Sequence, residues 1–267
     1  MSAKVINAIK PGLVVLVTAG ASGIGRAIAR SFLAHDCHVH ICDIDQSAID
    51  SFLLENPESS ASLADVSDHK MVDSLFSDLR NRYGHLDVLV NNAGTAGPTA
   101  ALENIDPEDW DATVAVNLNG QFYCSRLAIP LIREAGGGSI INIASSAALF
   151  GYPNRAPYAA SKWAVIGLTK TMAMELGEAN IRVNVICPGS VEGPRIDRVI
   201  EKDADERGKT ADEIREMYTR QTSLKKFVQP EEIAHMAVFL ASDLGRSISG
   251  QVLGVDGHTE SLSNIFN

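Results

Sequence analysis

The chain has no apolar run of 18 or more residues, no cysteines at CxxC spacing, no block of Lys and Arg, and only 6% aromatic residues. Each lack removes a class of protein. Without a long apolar run, nothing reads as a membrane-spanning helix and no membrane partner is expected. The 4 cysteines, at 37, 42, 124 and 187, are scattered, so neither a zinc site nor a disulfide framework is expected. Free buried thiols in a reducing, cytoplasmic setting fit better. Lys+Arg 23 against Asp+Glu 33 gives a net charge of −10, which argues against a nucleic-acid partner, because counterion release needs a basic face. Lys4 and Lys10 precede an apolar stretch, but Leu13 to Val17 is shorter than the ~7 residues an export signal needs. That segment reads as a lead-in and a first strand.

What is present suits a full core. The 267 residues are 45% hydrophobic and 21% charged, and no Ser/Gly/Pro-rich linker divides them, so residues 1–267 read as one domain. Short Val- and Ile-rich runs alternate with longer amphipathic ones, the rhythm of βα units wound around a parallel sheet. The runs Leu13 to Val17, Val39 to Cys42, Leu86 to Val90, Ser139 to Ile143 and Arg182 to Ile186 read as buried parallel strands. A weaker strand ends at Asp65, and a last one lies around Gln251 to Val255, about seven in all. Helical spacing covers Arg26 to Ala34, Asp68 to Tyr83, Pro107 to Glu134, Tyr158 to Glu178 and Pro230 to Ser242.

One segment breaks the rhythm. From Gly193 to Phe227 there are nine basic and eight acidic residues with few apolar anchors. It reads either as a solvated pair of helices laced by i,i+4 ion pairs or as an active-site lid at about 190–228, since it follows a strand's carboxyl end.

The first strand runs into Thr18-Ala-Gly-Ala-Ser-Gly-Ile-Gly25 and then a helix. Gly20, Gly23 and Gly25, with Ser22 and Ile24 between them, make a loop whose backbone can approach a pyrophosphate at a helix N-terminus. Asp43 closes the second strand, eighteen residues after Gly25, where a dinucleotide-binding unit places an acid on the adenosine ribose. A carboxylate there repels a 2′-phosphate, and neither Ser22 nor Ile44 supplies a compensating cation. NAD is the expected cofactor.

Further motifs follow in order: Asp65-Val66, Asn91-Asn92-Ala93-Gly94, Ser145 thirteen residues before Tyr158, Tyr158-Ala-Ala-Ser-Lys162, and Pro188-Gly189. Together they resemble the short-chain dehydrogenase/reductase family, from Leu13 to Asp256. The resemblance implies a three-layer doubly wound Rossmann fold. It implies that Asp65 and Val66 flank the adenine, that Asn92, Ala93 and Gly94 line the adenosine ribose, and that Pro188, Gly189 and Val191 sit against the nicotinamide. Two positions depart from the family pattern: Ala19 stands where glycine is usual, and Gly193 where threonine is frequent.

Tyr158 and Lys162 lie four apart on a predicted helix and so share a face. Bringing a tyrosine from its ordinary ~10 to about 7 takes roughly 4 kcal/mol. A unit charge ~4 Å away supplies about that much at an effective dielectric of ~20, but only ~1 kcal/mol in open water. The pair therefore needs a shielded cleft. By the resemblance, Ser145 (rather than its neighbour Ser146) holds the substrate oxygen, Tyr158 is the acid/base, Lys162 also holds the nicotinamide ribose, and Asn117 supports a water relay. Substrate contacts are expected from Ser145 and Tyr158, and from Arg155 and Arg195 as forks for an anionic or polyhydroxylated molecule, with Arg198 near them.

Three functions remain open at this point. One is an NAD-dependent alcohol dehydrogenase acting on a sugar, polyol or hydroxy acid, one an NADPH-dependent 3-oxoacyl-[acyl-carrier-protein] reductase, and one a non-catalytic NAD-binding regulator. A homotetramer is a family expectation, built on the apolar stripes Leu118, Phe122, Leu127 and Trp163, Leu168, Met172. No metal is expected. His38 and His40 share a strand face and read as packed or solvated, Trp110 and Trp163 read as packed, and His258 reads as a residue outside the pocket, with reach into it the lesser alternative.

Overall fold

The computed structural model describes residues 9–259. Seven strands form one parallel sheet in the order β3-β2-β1-β4-β5-β6-β7. These are β1 Val14–Thr18, β2 His38–Asp43, β3 Ser60–Leu63, β4 Val88–Asn91, β5 Gly138–Ile143, β6 Ile181–Pro188 and β7 Val252–Val255. Helices α1 Gly23–Leu33, α2 Gln46–Glu55, α3 His69–Tyr83, α4 Pro107–Val114, α5 Gly120–Glu134, α6 Ala156–Leu176, α7 Pro194–Arg207, α8 Ala211–Arg220 and α9 Pro230–Ala241 connect them.

The alternation of side chains along a strand builds the three layers. Val15, Val17, Val39, Ile41 and Val90 point to one face, where they pack with Ile28 and Phe32 of α1, Phe52 of α2 and Ile233 and Leu240 of α9. Val14, Leu16 and Leu89 point to the other, against Leu75 and Leu79 of α3, Leu131 of α5 and Met172 of α6. Strands buried on both faces must be continuously apolar, and β1 is VVLVT with every residue buried. This is the doubly wound Rossmann arrangement. Because β1 pairs with both β2 and β4, the winding reverses between β1 and β4, and a crevice opens at their carboxyl ends.

Two differences from the sequence reading have local causes, and the charged segment after β6 takes the form of the expected helix pair. Helix α2 was not expected: it buries only Ile49 and Phe52, so its apolar stripe is faint, and Asp45 starts it by accepting from the N–H groups of Ser47 and Ala48. The expected single helix from Pro107 to Glu134 is divided by a π-helical turn at Ala115–Asn119. The segment after β6 forms α7 and α8, joined at Gly208 and by a Thr210/Glu213 capping box. It carries the i,i+4 pairs Arg207–Asp203 and Arg220–Glu216.

Candidate active site

The crevice is a pocket of about 730 Å³ whose lining includes Ala19, Ser22, Asp43, Ile44, Asp65, Val66, Ala93 and Gly94. The loop that feeds it is built by close approach. A Cβ on Gly20 would stand 2.6 Å from the Ile41 side chain, and one on Gly25 would stand 2.1 Å from the Ala19 carbonyl oxygen. Gly20 and Gly25 therefore shape the loop by fit and Gly23 by its φ of 52, and neither they nor Ile24 appear in the pocket lining. Ala19 has φ 48, the left-handed conformation that glycine adopts without strain, so the departure noted at this position carries a backbone cost. Ser22, the residue before α1, makes no side-chain cap, and no acidic residue stands in the first turn. The first N–H groups of α1 thus carry no side-chain cap next to Ser22, which lines the pocket, an arrangement that fits the pyrophosphate of a dinucleotide.

Asp43 is nearly buried. One carboxylate oxygen accepts from the Ala21 N–H at 3.1 Å and the other from the Ile44 N–H at 2.8 Å, which fixes it at the mouth of the crevice. Asp65 is held by Ser67, whose N–H and hydroxyl donate to it at 2.8 and 2.7 Å. Thr18 joins the two halves of the crevice floor: its Oγ1 accepts from the N–H groups of Asn92 and Ala93, both at 2.9 Å. The Asn92 side chain donates to the carbonyls of Thr18 and Ala19, so Asn92 ties the loops together and does not itself line the pocket.

The residues expected to do chemistry converge at the β4–β5–α6 end. Ser145 follows β5, and its Oγ accepts from the Ala147 N–H at 3.1 Å, leaving the hydroxyl hydrogen to donate. Lys162 is 3% exposed, and its ammonium donates to the Ile143 carbonyl at 3.0 Å and stands 6.0 Å from the centre of the Tyr158 ring. Asn117 is fully buried in the π turn, where its side chain accepts from Thr95 N–H at 2.8 Å and donates to Thr95 O and Ser161 Oγ, both at 3.1 Å. Inserting one residue into the helical repeat is what turns it inward, a frequent use of π turns. A Cβ on Gly94 would lie 3.1 Å from Asn117 Oδ1 and 3.2 Å from Lys162 Nζ, which brings β4's loop, the π turn and α6 to one point.

At the β6 end, a Cβ on Gly189 would stand 2.8 Å from Asp256, so Pro188 and Gly189 pass close under the carboxyl end of β7. Val191 bridges to Val228 at the base of the α7–α8 excursion. Gly193 has φ 134, which explains why threonine is absent there. Arg215 of α8 donates to both Glu192 oxygens at 2.9 Å and to Asp197 at 2.6 Å, fastening α8 to the start of α7. Arg198 is exposed, and the side chain of Arg195 lies outside the described residues. Arg155 is half-buried and tied to the loop after β4: Nη2 donates to Ala96 O at 2.8 Å and Nη1 to Thr99 Oγ1 at 3.2 Å.

Sequence reasoning missed one wall of the pocket, formed by Thr95 to Pro98 and by Asp109, Ala112, Thr113 and Val116. His258 is exposed and bonds Ser223 at 2.7 Å. His40 sits between the hydroxyls of Ser60 and Ser62, with burial and then Arg82 pushing it down to about 4. Burial holds the thiols of Cys37 and Cys187 up at about 11 and that of Cys42 at about 12, so none is poised as a nucleophile.

The family model described as enoyl-(acyl carrier protein) reductase matches residues 18–258. A 3-oxoacyl-[acyl-carrier-protein] reductase of Thermotoga maritima is 38% identical over 92% of this chain and 97% of its own. A D-beta-hydroxybutyrate dehydrogenase of Cupriavidus necator is 32% identical over the same shares. The chain belongs to the short-chain dehydrogenase/reductase family. Among solved members of that family, actinorhodin polyketide ketoreductase with NADPH superposes with a TM-score of 0.88 at 34% identity, covering 92% of this chain and 96% of that one. Levodione reductase gives 0.87 at 30%, covering 93% and 98%. The chain is thus an oxidoreductase of a family that works with a nicotinamide cofactor, and no described helix is long and apolar enough to cross a membrane.

Proposed function

We propose that the protein moves a hydride between a secondary alcohol or its ketone (a sugar, polyol or hydroxy acid) and NAD, with Tyr158 as acid/base. The observation that carries this reading is the buried Lys162 ammonium beside the Tyr158 ring. A buried cation acts on a neighbouring charge far more strongly than one in open water, which is the setting an acid/base tyrosine needs. Tyr158 takes the hydroxyl proton of the alcohol, and Ser145 donates to the same oxygen and orients it. Asn117 bonds the backbone of Thr95 and the side chain of Ser161, and so holds the floor beneath Lys162. The cofactor, when bound, supplies the hydride acceptor. Ser22 and the start of α1, with Asp43, Ile44, Asp65, Val66, Ala93 and Gly94, would hold its adenosine and phosphates, and Lys162, Pro188, Gly189 and Val191 its nicotinamide end.

The choice of NAD rests on charge. Asp43, Asp65 and Asp109 line the pocket with no Lys or Arg among its lining residues, a poor environment for a 2′-phosphate. The similarity to a 3-oxoacyl-[acyl-carrier-protein] reductase, and to a ketoreductase crystallised with NADPH, favours the reverse reading, an NADPH-dependent ketone reductase. The α7–α8 segment, fastened by Arg215, suits a substrate lid at about 190–228. Trp163 and Phe122, each 49% exposed on α6 and α5, suit a homo-oligomer, where a second copy covers them, and explain why Trp163 is not packed within the chain. Rates with NAD and NADP over 3-hydroxybutyrate, sorbitol, cyclohexanol and 2-butanol test the proposal: a faster reaction with NAD supports it, and a faster reaction with NADP favours the reductase.

A further inference from the structure

The guanidinium of Arg155 occupies an unusual place. Its Cζ stands 5.4 Å from the centre of the Tyr158 ring and 5.7 Å from that of Tyr152, within cation–π range of both. Its Nη atoms grip Ala96 and Thr99 in the loop after β4, and the Ala100 N–H donates to the Asn154 carbonyl next door. Its Nε is buried with no hydrogen-bond partner, so the group sits where the rings and the loop carbonyl put it, and not where its own donors are best satisfied. Ala96, Gly97 and Pro98 of that loop line the cofactor pocket.

From this geometry we propose that Arg155 is a positioning residue for the reaction: it clamps the Tyr158 ring against the wall of the cofactor pocket and adds a second cation beside the phenol. The inference rests on the function proposed above and deepens it. Lys162 approaches Tyr158 from α6 itself, and Arg155 approaches it from the segment that leads into α6, where it also lies over the Tyr152 ring. On the β6 side lies the Cys187 thiol, which Lys162 and Asp256 both influence and which burial keeps neutral. Two cations, Arg155 and Lys162, thus stand at the Tyr158 ring, with Tyr152 beside the first and the Cys187 thiol within the field of the second. Removing one cation from a shielded phenol makes it a weaker acid, and freeing the loop loosens the cofactor pocket, so one substitution acts on both.

The test is the pH profile of alcohol oxidation with NAD for wild type, Arg155→Met, Arg155→Lys and Thr99→Val, using whichever of 3-hydroxybutyrate, sorbitol, cyclohexanol and 2-butanol turns over fastest. Arg155→Met is expected to lower kcat about tenfold, to move the half-maximal pH up by about one unit, and to raise KM for NAD. Arg155→Lys restores most of the pH profile but not the loop contacts, so KM for NAD stays high. Thr99→Val, which removes a single anchor and leaves both rings in place, gives a smaller change of the same sign even if Arg155→Met folds poorly. A rise in KM for the alcohol alone, with kcat and the pH profile unmoved, makes Arg155 a substrate ligand and overturns the proposal. Wild-type activity with an unchanged Arg155→Met overturns it too, whereas a wild type inactive on every alcohol and ketone overturns the functional reading beneath it.

Discussion

Asp43→Asn separates the structural role of the carboxylate from its role in cofactor choice. In the native protein each oxygen faces a backbone donor, Ala21 N–H on one side and Ile44 N–H on the other. An asparagine in the same place turns its NH₂ toward one side whichever way it flips, so either the buried Ala21 N–H or the partly buried N–H groups of Ile44 and Asp45 lose their acceptor. That loss costs about 1–3 kcal/mol. For a chain of this size each kcal/mol moves Tm by roughly 2–4 °C, so thermal unfolding should fall by about 2–12 °C. The charge effect has the opposite sign for NADP. A carboxylate ~4 Å from a 2′-phosphate repels each unit of its charge by about 1 kcal/mol in water and up to ~4 kcal/mol at an effective dielectric of ~20. Neutralising it should therefore raise the NADP-to-NAD ratio of kcat/KM by roughly fivefold to several hundredfold. Steady-state kinetics with both cofactors, alongside a thermal melt, read the two effects separately. A melt that drops as expected while the cofactor ratio stays put would refute the argument that Asp43 sets the preference.

Two further perturbations test the fold around the site. Ala19→Gly should stabilise the protein by about 1 kcal/mol, a rise of roughly 2–4 °C in Tm, because glycine adopts the left-handed conformation of Ala19 without strain; a lower Tm would mean that the position is not strained. His40 has its pKa lowered from 6.5 to about 4 by burial and then by Arg82, with Asp78 opposing. The unfolded chain therefore binds the proton first, so this group's contribution is complete above about pH 6.5 and is lost as pH falls to about 4, some 3 kcal/mol in all. Denaturant melts of wild type and His40→Gln should show the wild-type advantage shrinking across that window, and a constant difference would contradict the assignment.

How legible all this was in the sequence depended on what set each feature. β1, β2, β4, β5 and β6 were readable because strands buried on both faces cannot avoid apolar runs such as VVLVT. The Gly-rich loop, Asp43 and the Tyr158/Lys162 pair stood out because the chemistry proposed for them asks for those residue types at that spacing, and the fold places the first two at the crevice and the last two side by side. Helix α2 was hidden by having only Ile49 and Phe52 to bury. The π turn that carries Asn117 was hidden because one extra residue barely disturbs a helical pattern. The wall from Thr95 to Pro98 looked like a plain connection, and only the fold brings it to Arg155, 59 residues away along the chain from Ala96. Arg155 itself was read as a substrate fork, since nothing in the sequence shows that its guanidinium lies over two tyrosine rings.

The central claim, hydride transfer to NAD with Tyr158 as the base, is tested most directly by the initial rate of NADH formation from the best secondary alcohol, measured for wild type and for Tyr158→Phe. The account predicts that the wild type turns over, and that Tyr158→Phe, which loses only a hydroxyl, keeps its NAD affinity and loses about a thousandfold or more in kcat, within the range of acid–base catalysis combined with lost substrate alignment. A Tyr158→Phe protein whose kcat stays within a few-fold of wild type would contradict it.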